Sequence, residues 1–420
     1  MRYKTQQFEK LIKRTIDMRI NLEKSEPKGV ICAPPSKSMA HRMLICGGLG
    51  EGTSRVHGIA PSQDVLATLD CLEALGARYT YEDDTVTITG TGTFEGAKDI
   101  LRCRESGSTL RFFIPLCMLS NKRAVLTGSE TLLKRPLSVY ESICDNQNIS
   151  FTNDGREITV EGELTGGNYK IPGNISSQFI SGLLFSLPLL KCDSKINIVP
   201  PIESLSYINL TIEALREFGV QVKWIDERTL HIKGNQRYRP REVWVEGDYS
   251  NAAFFAAMDC LGGNITITGL NENSTQGDRV YLRFFEQLKK GTPAINISNC
   301  PDLGPVLFAV AAAKSGGVFT GTKRLKIKES DRGAAMAQEL KKFGVSVKVE
   351  EDTIVVYPTD FHKPKEILCG HNDHRIVMSL CVLLTLTGGS IDGAEAVNKS
   401  MPDFFEKLQC LGVDIKYEEF

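Results

Sequence analysis

The chain is built from repeats, and the repeat limits what it can fold into. The segments "GEGTSRVHGI", "NKRAVLTGSE", "CDSKINIVPP", "GGNITITGLN", "GGVFTGTKRL" and "GGSIDGAEAV" each come after an apolar stretch and read as short strands. A second series reads as a helix end, a Gly or Asn stop, and strand-turn-strand: "LGARYTYEDDTVTITG", "QNISFTNDGREITVEG", "FGVQVKWIDERTLHIKG", "FGVSVKVEEDTIVVYP" and "LGVDIKYEEF". Gly or Asn supplies the left-handed residue that closes a helix. Asp-Asp, Asp-Gly and Glu-Asp supply the turns.

The two series interleave. Landmarks at Gly50, Asn121, Cys192 and Gly263 recur about every 71 residues, as do Gly317 and Gly389. The stops at Gly76, Asn148, Gly219, Gly291, Gly344 and Gly412 lag them by about 23 to 28 residues. Six units of the form helix-strand-helix-hairpin result. The fourth is short: after "LKKGTPAINIS" the chain runs straight into "NCPDLGP", so one hairpin is missing.

A chain of 420 residues exceeds one ordinary core, so the expectation is an α/β protein of two domains with three units each. The division falls near "YRPREVWVEGDYS". Units 1–3 occupy 34–245. Units 4–6 occupy 246–420, joined by the opening strand "MRINLE" within 18–33. Residues 1–17 read as an extension, with Met18 an alternative start. Such a molecule is hinged, with its cleft between two similar halves.

Each unit has one helix too apolar to lie on a surface: "MLICGGL", "RFFIPLCML", "FISGLLFSLPLL", "NAAFFAAMDCL", "PVLFAVAAA" and "IVMSLCVLL". Their leading flanks are polar: "PSKSMAHR", "RESGSTLR", "GNISSQ", "EGDYSN", "NCPDLGP" and "HNDHR". Capping accounts for Asp248, Ser250 and Asn251. It does not account for Lys37, Arg42, Arg111, His374 and Arg375. A cation at a helix N-terminus opposes the dipole unless an anion lies between them. The second helices start with further cations or hydroxyls: Arg135, Ser204, Tyr207, Lys328, Arg332 and Lys399. Each alone reads as a solvated charge; together they read as an anion site. Asp302 and Glu329 stand among them, either as proton-transfer groups or as salt-bridge partners.

Other classes are excluded. The formal net charge of -1 gives no polyanion-binding surface, so no nucleic-acid partner is expected. Apolar runs end well short of ~18 residues, so no membrane span is expected. The N-terminus has charges throughout and no apolar core of a secretory signal. The 12 cysteines form no C-x-x-C pair and sit mostly among apolar residues, as do Cys192 and Cys381. Buried, reduced thiols and a cytoplasmic location are the expectation. His371 and His374 lack the further ligands that zinc needs. There is no phosphate-binding P-loop, dinucleotide fingerprint or nucleophile elbow.

The motifs "PPSKSMAHR", "ESGSTLRFF", "KRPL", "GNISSQF", "PDLGPVLFAVAA", "IKESDR", "NDHR" and "NKSMPDFF" stand in an order and register that resembles the 5-enolpyruvylshikimate-3-phosphate synthase family. The resemblance runs from about Met18 to the C-terminus. It implies the two-domain inverted α/β, barrel-like fold, with βαβαββ-type units and the buried helices at the centre of each domain. It implies transfer of enolpyruvyl from phosphoenolpyruvate to the 5-hydroxyl of shikimate 3-phosphate, without metal or organic cofactor, by a monomer. By the same resemblance, Lys37 touches both substrates. Ser38, Arg42, Ser176, Ser177, Gln178 and Ser204 hold shikimate 3-phosphate, with Gln178 near phosphoenolpyruvate as well. Gly107, Arg135, Arg332, Arg375 and Lys399 form the phosphoenolpyruvate site. Asp302 and Lys328 hold the ring hydroxyls. Asp302, Glu329 and Lys37 are the implied catalytic residues, Asp302 accepting the hydroxyl proton and Glu329 handling the proton at the enol methylene.

The chain departs from the family pattern at Glu105, where Asn is common; the added carboxylate either perturbs the anion site or pairs with Arg104. This bears on inhibitors that mimic phosphoenolpyruvate, such as glyphosate. Rival readings are weaker. The sister transferase acting on UDP-N-acetylglucosamine uses a loop cysteine, which "TGSETLLKRPL" lacks. A non-catalytic binding protein on this scaffold would have lost Lys37, Asp302 or Glu329. The RNA 3'-phosphate cyclase type would show a more basic surface.

Overall fold

The computed structural model describes residues 18–92 and 95–419; the extension read at 1–17 lies outside them. The chain divides into two compact units. One comprises Pro35–Asp248 and Asn271–Gly277, and the other residues 18–34, 249–270 and 278–419. The short segment Asn271–Gly277 thus packs with the first unit, although it lies in the part of the sequence assigned to the second lobe. Glu246 holds it there: Ser274 Oγ and Gln276 Nε2 each donate to its carboxylate at 2.7 Å.

In the 35–248 unit each repeat forms a four-stranded sheet of one pattern. An outer strand runs parallel to the strand that comes after the buried helix, and the hairpin pairs antiparallel beyond it. The second repeat shows it in the order Leu101–Arg102, Ala124–Thr127, Glu157–Glu161, Ser150–Asn153. The third repeats it with Asn168–Pro172, Ser194–Val199, Thr229–Ile232 and Val222–Trp224. In the first, the outer strand is Glu242–Trp244, from the far end of the unit, laid parallel to Glu51–His57. The inward residues alternate, as in Ile196 and Ile198 of Ser194–Val199.

The C-terminal unit keeps the pattern with two substitutions. Its fourth repeat has no hairpin: helix Tyr281–Lys290 leads directly to Ala294–Asn296, the outer strand of the fifth. The sixth completes its hairpin with the chain's opening strand: Met18–Leu22 lies between Gly389–Asp392 and Ile415–Glu419, antiparallel to both. Lys28–Cys32 then runs parallel to Asn264–Thr268.

The helix stops are as the composition requires. Asn148 is left-handed, and Gly76, Gly219, Gly344 and Gly412 have φ of 103°, 83°, 85° and 86°. The apolar helices are Lys37–Leu49, Gly107–Cys117, Ser177–Ser186, Tyr249–Cys260, Gly304–Ala312 and His374–Thr387. All nine residues of Gly304–Ala312 are buried. Burying each large aliphatic side chain stabilises by about 1.5–3 kcal/mol. Helix Gly107–Cys117 contains Pro115, whose missing N–H leaves the Arg111 carbonyl without its helical donor. The buried Tyr140 hydroxyl donates to that carbonyl at 2.6 Å. Gly182 permits the approach: a Cβ there would stand 2.3 Å from the Tyr140 oxygen.

All 12 cysteines are free thiols, and Cys381 is buried as expected. Cys192 is exposed, because it lies past the apolar helix in the turn before strand Ser194–Val199. Among the described residues no helix is long and apolar enough to cross a membrane.

Candidate active site

In the 35–248 unit, hydrogen bonds tie together the leading ends of the three buried helices. Ser36, Ser106 and Ser176 cap them, accepting from the amides of Met39, Thr109 and Gln178. Asp248, read as a cap for its own helix, accepts the Lys37 amide at 3.1 Å. The Lys37 ammonium meets Asp64 at 2.8 Å, with both side chains largely buried. Arg42 is 3% exposed. Its Nε donates to Thr211 Oγ1 at 2.8 Å, Nη1 to the Ser38 carbonyl at 2.6 Å, and Nη2 to the Tyr207 carbonyl at 3.1 Å and Ser181 Oγ at 3.4 Å. These acceptors are neutral. Burial pushes its pKa down to about 10, so it stays charged at neutral pH.

The second helix joins the third through Arg111, whose Nη1 donates to Gln178 Oε1 at 2.7 Å, while Gln178 Nε2 donates to Ser108 Oγ at 2.9 Å. Gly107 sits under two guanidinium groups: a Cβ there would lie 2.7 Å from Arg135 Nη1 and 3.4 Å from Arg111 Nη1. Among the described residues the buried Nε of Arg135 has no hydrogen-bond partner. Ser176 and Ser177 are buried at the helix start, Ser38 is half-buried, and Ser204 is buried with φ of 55° before helix Leu205–Glu217. Arg104, beside Glu105, bonds Asp70 at 2.7 Å and also Gln63.

The C-terminal unit gathers its site differently. Arg332, the first residue of helix Arg332–Lys342, is 1% exposed and meets three carboxylates. Its Nε donates to Asp373 Oδ2 at 2.8 Å, Nη1 to Asp302 Oδ1 at 2.8 Å, and Nη2 to Glu329 Oε2 at 2.5 Å. Burial disfavours its charge, but Asp373, Glu329 and Asp302 outweigh burial and raise the pKa. Asp302 lies at the start of helix Gly304–Ala312 and also meets Lys328 at 3.0 Å and Arg375 at 3.3 Å. Burial favours its neutral form, yet Arg375, Lys328 and Arg332 hold the carboxyl well below its ordinary range. Burial, with Arg324 and Arg332, lowers Lys328. Lys399 Nζ donates to the Asn372 carbonyl at 2.6 Å.

Within this unit the structure brings together Asp302, Lys328, Glu329, Arg332 and Arg375, and both sequence-marked acids are salt-bridge partners of Arg332. Two further members have no place in the sequence assignment. Asp373 is buried, caps helix His374–Thr387 through the Arg375 amide at 2.9 Å, and binds Arg332. Asp64 neutralises Lys37; its signal was an acid in the first turn after Ser62.

Repeated βαβαββ-type units in two α/β domains, the fourth without its hairpin, with charged side chains at buried helix starts, are the architecture that the enolpyruvyl transferases share. An enolpyruvyl transferase from Streptomyces tendae, NikO, shares the fold at a TM-score of 0.78 with 14% identity, over 96% of this chain and 100% of that one. An EPSP synthase from Acinetobacter baumannii does so at 0.77 with 24% identity, over 96% and 100%. The family model for EPSP synthase (3-phosphoshikimate 1-carboxyvinyltransferase) matches residues 23–408, and the chain belongs to that family. A 3-phosphoshikimate 1-carboxyvinyltransferase of Clostridium perfringens is 39% identical over 428 residues, covering 95% of this chain and 100% of that protein. One from Clostridium acetobutylicum is 39% identical over 411 residues, covering 92% and 96%.

Proposed function

We propose that this chain transfers the enolpyruvyl group of phosphoenolpyruvate to the 5-hydroxyl of shikimate 3-phosphate and releases phosphate, a step of aromatic amino-acid biosynthesis. The observation that carries the reading is the family match over residues 23–408, which spans the clustered helix starts of both units.

The chemistry agrees with the residues. Each substrate carries a phosphate and a carboxylate, so about six negative charges must be accommodated. Lys37, Ser38, Arg42, Ser176, Ser177, Gln178 and Ser204 take shikimate 3-phosphate, with Asp302 and Lys328 on its ring hydroxyls. Gly107, Arg135, Arg332, Arg375, Lys399, Gln178 and Lys37 take phosphoenolpyruvate. Arg suits both anions, since its planar fork matches carboxylate and phosphate oxygens in pairs. Arg42, with four donor contacts inside its unit, acts by fixing Ser38 and by its charge.

The 5-hydroxyl oxygen bonds to C2 of phosphoenolpyruvate while C3 gains a proton; C3 then loses a proton as the C2–O bond to phosphate breaks. Asp302 accepts the hydroxyl proton, and Glu329 gives and recovers the proton at C3. The cations around Asp302 make it a weak base in the unliganded state. Its basicity rises when Arg332 and Arg375 turn from it to substrate anions. No redox step occurs. The enzyme works as a monomer in the cytoplasm.

Phosphate release in the presence of both substrates, with each omitted in turn, tests the reading. Release requiring both is expected. Release with phosphoenolpyruvate alone, or only with UDP-N-acetylglucosamine as acceptor, contradicts it. Asp302→Ala and Glu329→Ala should bind shikimate 3-phosphate and lose most turnover; wild-type rates would remove those roles.

A further inference from the structure

We infer that Glu339 and His371 are a positioning pair that sets Lys399, Arg332 and Arg375 by fixing the loop 369–373 between them; the inference rests on those three serving phosphoenolpyruvate.

Glu339 lies on the apolar face of helix Arg332–Lys342, beside the buried Ala335, Met336 and Leu340, and is itself 0% exposed. A carboxylate at such a place is tolerated only when its oxygens are satisfied. Three donors at 2.9 Å do so: His371 Nε2 on Oε1, with the Cys369 amide and Lys342 Nζ on Oε2. Two of the three belong to the loop. Glu339 therefore clamps the loop to the helix whose first residue is Arg332.

The loop needs that clamp. His371 and Asn372 are consecutive residues with φ of 49° and 50°. Asn adopts this left-handed region with some ease; a His beside it is uncommon and persists only where its surroundings hold it. The strained pair leads directly into the site. The Asn372 carbonyl takes the Lys399 ammonium, the Asp373 amide donates to the Gly370 carbonyl at 2.9 Å, and the Asp373 carboxylate takes Arg332. The Arg375 amide bonds Asp373, and the Arg375 guanidinium reaches Asp302. Release of His371 shifts the acceptor of Lys399 and the anchor of Arg332 together. Glu339 and His371 act through these neighbours.

The test uses the full chain and steady-state phosphate release with wild type, Glu339→Gln, His371→Ala, His371→Gly and the double variant E339Q/H371A. Either single change is expected to raise KM for phosphoenolpyruvate about tenfold and leave KM for shikimate 3-phosphate within about twofold. The double variant is expected to be no worse than the worse single one, because both changes loosen the same loop. His371→Gly accepts the positive φ but lacks the bond, and is expected to stay impaired. Wild-type KM in His371→Gly, additive losses, or lowered stability with unchanged KM would overturn the pair's role. His371→Ala carries the test if Glu339→Gln does not fold. Hydrogen exchange at the Asp373 and Arg375 amides, expected to quicken about tenfold in the variants, decides the matter without turnover; unchanged exchange overturns the inference. An inactive wild type with quickened exchange in the variants would sink the proposed function and leave the positioning pair standing.

Discussion

Each unit buries an arginine among the starts of its central helices, and the two are held by opposite means. Arg42, 3% exposed, is held by two hydroxyls and two carbonyls. Arg332, 1% exposed, is held by Asp302, Glu329 and Asp373. Burial lowers the pKa of the first, and three carboxylates raise that of the second. Neutral acceptors leave the Arg42 charge uncancelled, available as field to an incoming anion. The acids around Arg332 cancel its charge until something displaces them. On the proposed reading, Arg42 meets an anion as it stands, whereas Lys37 must leave Asp64 and Arg332 must leave its three acids.

The largest expected effect comes from breaking the acid cluster. Arg332→Met leaves three buried or half-buried carboxylates facing one another, and a loss of about 3–5 kcal/mol in urea unfolding is expected. Arg42→Met leaves only neutral groups behind, and Ser181 and Thr211 already bond each other at 2.7 Å. A loss of about 2 kcal/mol is expected there. Equal losses would mean that the acceptors' charge does not matter.

Gly107→Ala sharpens the comparison on the ligand side. The added methyl meets the end of Arg135, a flexible side chain that can move. The protein should fold normally, with KM for phosphoenolpyruvate about tenfold higher, or about 1.4 kcal/mol, and KM for shikimate 3-phosphate within about twofold. Equal changes in both constants would misplace Arg135.

A further comparison separates the units by pH. His41 is buried with Nδ1 at 2.7 Å from Thr68 Oγ1, and burial, then Lys37 and Arg42, hold its pKa well below 6.5. As pH falls the unfolded chain takes up this proton first, so the stability due to neutral His41 is present above about pH 6.5 and lost below it. The depressed Asp302 acts lower: its contribution is present above about pH 4, the unfolded carboxyl value, and lost on further acidification. His41→Gln should flatten the first decline by about 1 kcal/mol per pH unit and leave the second. Urea midpoints between pH 8 and pH 3 check this.

The repeats and the helix stops were legible in the sequence because each rests on a local pattern. Asn148 and Gly219 end helices wherever they fall in the fold, whereas the caps at Ser36, Ser106 and Ser176 emerged only from the structure. The opening strand was placed with the C-terminal half, but its seat between Gly389–Asp392 and Ile415–Glu419 was not legible, since it fills a gap at the other end of the chain. Side-chain partners across repeats were not legible. Arg42 meets Ser181 and Thr211, far along the sequence, and no spacing marks them. Arg332 was marked as a substrate cation and Asp302 and Glu329 as possible salt-bridge acids, but that one arginine gathers acids from three segments, Asp373 among them, was not legible. Glu339 did leave a trace: an acid in step with Ala335, Met336 and Leu340 on an otherwise apolar face.

The direct test of the uncancelled charge in the 35–248 unit is calorimetric titration of shikimate 3-phosphate alone into wild type, Arg42→Met and Arg332→Met. Binding at least about thirtyfold weaker in Arg42→Met and within about threefold of wild type in Arg332→Met is expected. Unchanged affinity in Arg42→Met, with the loss in Arg332→Met instead, would contradict an uncancelled charge at Arg42.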